Sequence, residues 1–123
     1  MRYIWGSLGI LVLIAGVTVW SSLYMAEITE TMQDYLDAAG TAASREEVLR
    51  TLTRMEAYWE GQHWYLESVC VHNDLEEASA TLSNLYSAAL CDDDDDFLAA
   101  HRLIQVQLEH ITRSEAFRLG NIL

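Results

Sequence analysis

The sequence predicts an all-α protein: one N-terminal transmembrane helix followed by a small extracytoplasmic bundle of three to four helices. Three observations carry that prediction. The stretch Tyr3–Met25 contains no charged residue. The remainder places apolar residues at alternating three- and four-residue steps, the period of a helix that buries one face. Proline is absent, which suits long helices joined by short turns.

The apolar stretch has twenty-three residues, or ~34 Å as a helix, enough to cross ~30 Å of hydrocarbon with some tilt. Its centre is aliphatic and its ends are aromatic, with Tyr3 and Trp5 at one and Trp20 and Tyr24 at the other. Such rings favour the headgroup layer, where one part of the ring is dry and another wet. A buried helix of a soluble protein is the alternative, but such helices seldom stay charge-free over this length. Arg2 precedes the stretch, whereas Glu27, Glu30, Asp34 and Asp37 follow it with no basic residue before Arg45. Positive charge stays on the cytoplasmic side, so the N-terminus is expected inside and the rest outside, in a single-pass cell-membrane protein. A cleaved signal peptide is the main rival. Tyr24, two places before the small Ala26, spoils the cleavage pattern, so an uncleaved anchor is expected.

Three units follow: an anchor over 1–26, a juxtamembrane helix and turn over 27–43, and an acidic helical bundle over 44–123. The first helix is expected to run past the membrane through Ile28, Met32, Tyr35 and Leu36 to about Ala39, where Gly40 and Thr41 break it. Ser44-Arg45-Glu46-Glu47 is a capping box that opens a second helix. Its stripe is Val48, Leu52, Met55, Trp59, Leu66 and Val69, and it should end near Val71. His72-Asn73-Asp74 then reads as a turn. His72 would serve the carbonyl end of the second helix, and Asn73 or Asp74 would cap the third. Leu75, Ala78, Leu82, Leu85 and Ala89 form the third stripe. The run Asp92–Asp96 is the next junction, its last members favouring a helix N-terminus. Phe97, His101, Ile104, Leu108 and Ile111 form the fourth stripe, after which Ser114 would cap a short final turn stopped by Gly120.

The pattern His72-Asn73-Asp74-Leu75, Leu82-x-x-Leu85, Leu108-Glu109-His110-Ile111, Glu115 and the closing Asn121-Ile122-Leu123 resembles a bacterial family, domain of unknown function four-three-six-three. The resemblance implies a short N-terminal anchor and a helical domain with tryptophans ahead of the histidine. The family carries no assigned activity, so the resemblance implies topology and nothing catalytic. This chain departs from it in lacking lysine and in its aspartate run, which leaves a shared surface partner without support.

Charge narrows the function classes. All nineteen acidic residues and six of the seven arginines lie beyond Met25, and lysine is absent. Phosphate binding needs a basic surface, so a nucleic-acid partner is not expected. Cationic partners suit this charge, and so does plain solubility. Glu60-x-x-His63, with Glu67 one turn on, is the weak metal candidate. Carboxylate-bridged metal bundles need that motif on two helices with two further glutamates, and no second copy exists. The aspartate run lacks the glycine and distal glutamate of a calcium loop, so no metal or other cofactor is expected. His101 falls on an apolar stripe and reads as a satisfied core histidine. Cys70 and Cys91 are expected to remain thiols, mostly buried. Sixteen residues of helix would hold them ~24 Å apart, where a disulfide needs about 7 Å. In the span, Gly9 and Gly16 share a face through which two copies of the chain could approach. Trp59, Trp64, Tyr58 and Tyr65 cluster in the second helix, too many to face inward together, so some are expected to line a partner groove.

The expected function is a non-enzymatic, membrane-tethered interaction or accessory module. Its partners would be the bilayer through residues 3–25 and an unidentified protein. A metal- or solute-binding sensor is the rival class and an enzyme the third.

Overall fold

The computed structural model describes residues 2–70 and 72–122 of the backbone, and side chains as far as Glu115. The described residues are almost entirely helical: α1 (Arg2–Thr41), α2 (Arg45–Gly61), α3 (His63–Val69), α4 (His72–Leu90) and α5 (Asp94–Ile122). The second half of α1 packs with α2, α4 and α5 as an antiparallel four-helix bundle. Each of the four touches two others, and α3 closes the end where α2 turns into α4.

α1 is long and apolar enough to cross a membrane. It is one unbroken helix of 40 residues that passes the expected anchor limit at 26 without a bend in its assignment. Its buried face is Thr18, Ser21, Met25, Ile28, Met32, Leu36 and Ala39, spaced by threes and fours. Packing against the bundle therefore starts at Thr18, inside the apolar stretch. From Tyr3 to Val17 its large apolar side chains are all exposed.

The expected capping box holds, shifted at one contact. Ser44 Oγ accepts from the Glu47 amide at 3.2 Å, while the Glu47 carboxylate accepts from the Ala43 amide at 3.2 Å. Leu52, Met55, Trp59 and Leu66 of the second stripe are buried, and Val48 and Val69 are half-buried. The second helix does not run through to Val71, a residue outside those described. It breaks at Gln62, whose φ of −96° and ψ of 0° end α2 and start α3. The Gln62 amide donates back to the Trp59 carbonyl, and its own carbonyl accepts from the Tyr65 and Leu66 amides. Gly61 beside it offers little helix propensity to oppose the break. The change of direction brings Tyr65 inward as well as Leu66.

All five residues of the third stripe are buried. The turn expected at His72-Asn73-Asp74 is not there; these residues form the first turn of α4. The acidic Asp74 lies in the positive end of the helix dipole. The aspartate run is resolved residue by residue. Asp92 has a φ of 58°, the left-handed conformation usually given to glycine. Its amide donates to the Ala89 carbonyl at 3.3 Å and that of Asp93 to Ala88 at 2.9 Å, a Schellman closure of α4. Asp93 then caps α5, its Oδ1 accepting from the Asp96 amide at 3.2 Å. Asp94, Asp95 and Asp96 occupy the first turn, where the dipole favours carboxylates.

α5 continues to Ile122 without the break expected at Ser114 or the stop at Gly120. Ile104, Leu108 and Ile111 are buried and Phe97 and His101 half-buried. The expected core role of His101 holds, its Nε2 lying 2.9 Å from the Leu36 carbonyl. Burial of both cysteines does not hold. Cys70 is half-buried and Cys91 exposed, since Cys91 belongs to the turn and not to a packed face.

Candidate functional site

Two features stand out on this frame: a cleft along the seam of α4 and α5, and a polar knot at the end of the bundle that faces the apolar half of α1.

The cleft arises because the facing residues are small. Thr81, Asn84, Ser87 and Ala88 of α4 meet Ala99, Ala100 and Leu103 of α5 across a space of about 510 Å³. Helices so lined leave room between their outer ridges. Leu103 also lines a second space of about 250 Å³, with Val106, Gln107, His110 and Ile111 of α5 and Asp74 and Glu77 of α4. Asp93 and Asp96 stand at one end of this seam, and Asp74 and Glu77 at the other. From Asp96 to His110 it runs ~21 Å. Leu103 and Val106, 49 % and 61 % exposed, form an apolar edge along its α5 side. The Asp96 carboxyl is pushed above the ordinary range by its hydrogen bond with Asp93, then by the Asp93 charge. Two carboxyls this close disfavour each other's ionised form.

The polar knot joins three helices. Ser21 Oγ of α1 lies 2.5 Å from the Tyr65 hydroxyl of α3 and donates to Glu115 Oε1 of α5 at 2.9 Å. The Tyr65 hydroxyl is also within donating distance of Glu115 Oε1, at 2.9 Å, and of the Ser21 carbonyl, at 2.8 Å. Glu115 is only 4 % exposed, and its Oε2 is buried without a hydrogen-bond partner among the described residues. Burial pushes the Tyr65 phenol above its ordinary 10.0, opposed by the bond from Ser21 and reinforced by Glu115. Around the knot the Tyr24 hydroxyl donates to the Gln62 side chain. The Tyr24 ring stacks on Trp20 and meets Tyr65 edge-on at 4.6 Å and Trp64 at 6.0 Å.

The residues singled out in the sequence are scattered over this frame. Glu60 and His63 meet at 3.3 Å across the α2–α3 break, and Glu67 is exposed on α3. Among the described residues no three histidine, cysteine or acidic side chains gather as a metal site. His72 pairs with Glu76, one turn on, at 2.8 Å. Asp74 reaches across to His110 at 3.5 Å, linking α4 to α5 at the end of the cleft, while Asn73 is exposed. Asn121 lies in the last turn of α5, its side chain outside those described. Tyr3 and Trp5 are fully in the exposed part of α1, and Trp20 and Tyr24 in the part that meets the bundle. Gly9 and Gly16 have no atom near the position a Cβ would take, so that face of α1 is open. Of the aromatic cluster, Trp59 and Tyr65 are buried, Tyr58 half-buried and Trp64 exposed.

The sequence reading missed Ser21, and it named Tyr65 and Glu115 without the link between them. A signal was present: Glu115 continues the spacing of Ile104, Leu108 and Ile111, and a carboxylate on a buried stripe needs partners. Comparison with protein-family models, with curated proteins and with solved structures finds no match.

The knot has a signature in alkali. Tyr65 holds its proton more tightly folded than unfolded. The stability this contributes is complete below the unfolded value near 10 and is lost as pH rises through the higher folded value. Tyr65→Phe should cost about 1–3 kcal/mol at neutral pH, because Glu115 loses a donor. The gap between wild type and Tyr65→Phe should then narrow above about pH 10. Urea unfolding across that range measures it, and a gap independent of pH would remove Tyr65 from the account.

Proposed function

We propose that this chain is a membrane-tethered interaction module without catalytic activity of its own, and that the α4–α5 cleft is where its protein partner docks. The observation that carries this reading is the cleft's make-up: an exposed apolar edge at Leu103 and Val106, with acids at both ends and no arginine among its lining residues. A seam of ~21 Å accommodates about fourteen residues of helix. The partner that fits is an amphipathic helix with one apolar stripe and lysine or arginine toward its ends. The stripe would supply anchors at i, i+3, i+4 and i+7, and the charges would set its register. The same acidity disfavours nucleic acid. The resemblance to domain of unknown function four-three-six-three accords with a tethered helical module and adds no activity.

The probe is a labelled eighteen-residue helical peptide of leucine, alanine and lysine with this pattern. It is titrated against the full chain in phosphatidylcholine nanodiscs, with empty discs as blank. It should bind, and Leu103→Arg, an exposed position, should weaken binding at least tenfold. A scrambled peptide of equal composition should bind no better than to empty discs. Equal binding of the scramble, or no effect of Leu103→Arg, would reduce the interaction to unspecific charge attraction.

In the same reading α1 is an uncleaved anchor with its N-terminus cytoplasmic and the bundle outside. Arg2 before the apolar stretch and four acids after it support that orientation. Protease added to intact cells should digest a tag placed after Leu123. A protected tag, in cells whose other exposed proteins are cut, would reverse the topology.

A further inference from the structure

We propose that the base of the bundle is itself a lipid-binding surface, with α3 and its aromatic patch lying in the headgroup layer of a zwitterionic membrane rather than in the water above it. The proposal rests on the reading of α1 as a membrane span and extends it to parts of the chain with no apolar stretch of their own.

The first argument is one of level. A span needs about 20 residues for ~30 Å of hydrocarbon, so one that begins at Ile4 leaves the hydrocarbon near Leu23. The bundle, however, already packs on α1 from Thr18. If the hydrocarbon ended below the bundle, the uncharged helix between Arg2 and Thr18 would supply ~22 Å, less than the ~30 Å to be crossed. Bundle and hydrocarbon levels along α1 therefore overlap by about 8 Å, which puts Tyr24 and the α3 rings beside it at the boundary of hydrocarbon and headgroups. Tilting α1 uses more residues per unit of depth and increases the overlap.

The second argument is the course of α5. It runs antiparallel to α1, with His101 against Leu36, Thr112 against Thr29 and Glu115 against Ser21. Beyond Glu115 it continues as helix to Ile122, about 10 Å further toward the N-terminal end of α1.

The third is chemistry at that level. Trp64 on α3 is 61 % exposed, the one exposed aromatic ring among the described side chains beyond α1. It adjoins Tyr24, which stacks on the half-exposed Trp20, so three rings from two helices form one patch. Tryptophan and tyrosine prefer the boundary between tails and headgroups. Deeper polar groups of the same region, Ser21, Tyr65 and Glu115, are buried and bonded to one another. Glu60 and Glu67 are exposed beside the patch. Their charge suits the ammonium of a choline or ethanolamine headgroup and repels anionic lipid.

The test uses the full chain in phosphatidylcholine vesicles with Cys70→Ser and Cys91→Ser as background. Single cysteines replace Leu11, Trp64, Ser68 or Thr53, each carries a bimane label, and lipids with nitroxides near the headgroup or deep in the tail act as quenchers. Ser68 lies one turn from Trp64 and is exposed, so its exchange leaves the aromatic patch intact. Thr53 is exposed on α2, ~13 Å up the bundle from Gln62. Labels at 64 and 68 should be quenched several-fold more by the shallow nitroxide than the label at 53, and the label at 11 by the deep one. Quenching at 11 with labels at 64 and 68 as unquenched as that at 53 would place the base in water. That result overturns the proposal and leaves the anchor standing. No quenching at 11 would overturn the anchor and the proposal together.

Discussion

A carboxylate in the core decides how the bundle sits on its long helix. Glu115 occupies a stripe position that would otherwise hold a leucine or isoleucine, and it is almost fully enclosed. Burying such a group is costly unless donors meet it. Ser21 and Tyr65 are those donors, and they come from two other helices. Three helices are thereby fixed at one level, since a shift of one turn in any of them would strand the carboxylate. The break at Gln62 is the local consequence: a continuous helix from Arg45 onward would turn Trp59 and Tyr65 to different faces. The break lets both face inward.

The knot also explains why the apolar stretch and the bundle are not separate parts. Ser21 lies within the uncharged stretch, yet it belongs to the core as fully as Ile28 or Leu36. α1 is at once the candidate span and one wall of the bundle. Where such a helix spans a bilayer, sharing it in this way fixes the height and rotation of the domain above the surface. It also presents the α4–α5 cleft in one orientation. That is what a tethered docking module requires, because orientation raises the effective concentration of a partner held on the same surface.

Much of this was legible in the sequence because helical periodicity reports burial directly. The stripes of α2, α4 and α5 fall where Met55, Leu82 and Ile104 place them, and the Ser44–Glu47 cap follows from four residues. The missed features share one cause: a residue whose type argues against its location. Gln62 lies within a helical pattern and carries no breaker signal apart from Gly61. His72 to Asp74 look like turn residues, but α4 begins early and uses them in its first turn. Ser114 and Gly120 look like punctuation, but α5 runs on through both as one helix to Ile122. The cleft could not be read at all, since it depends on which small residues of α4 meet which of α5.

The claim at the centre is that Ser21 and Glu115 act as one unit joining the apolar helix to the bundle. A double-mutant cycle on stability in mild detergent tests it most directly, with Ser21→Ala, Glu115→Met and the pair. Each single change should cost about 1–3 kcal/mol if it leaves a polar group unpaired, and the pair should cost less than the two together by at least ~0.5 kcal/mol. Strict additivity would contradict the account, since it would mean that the two side chains are independent and that α1 joins the bundle by apolar packing alone.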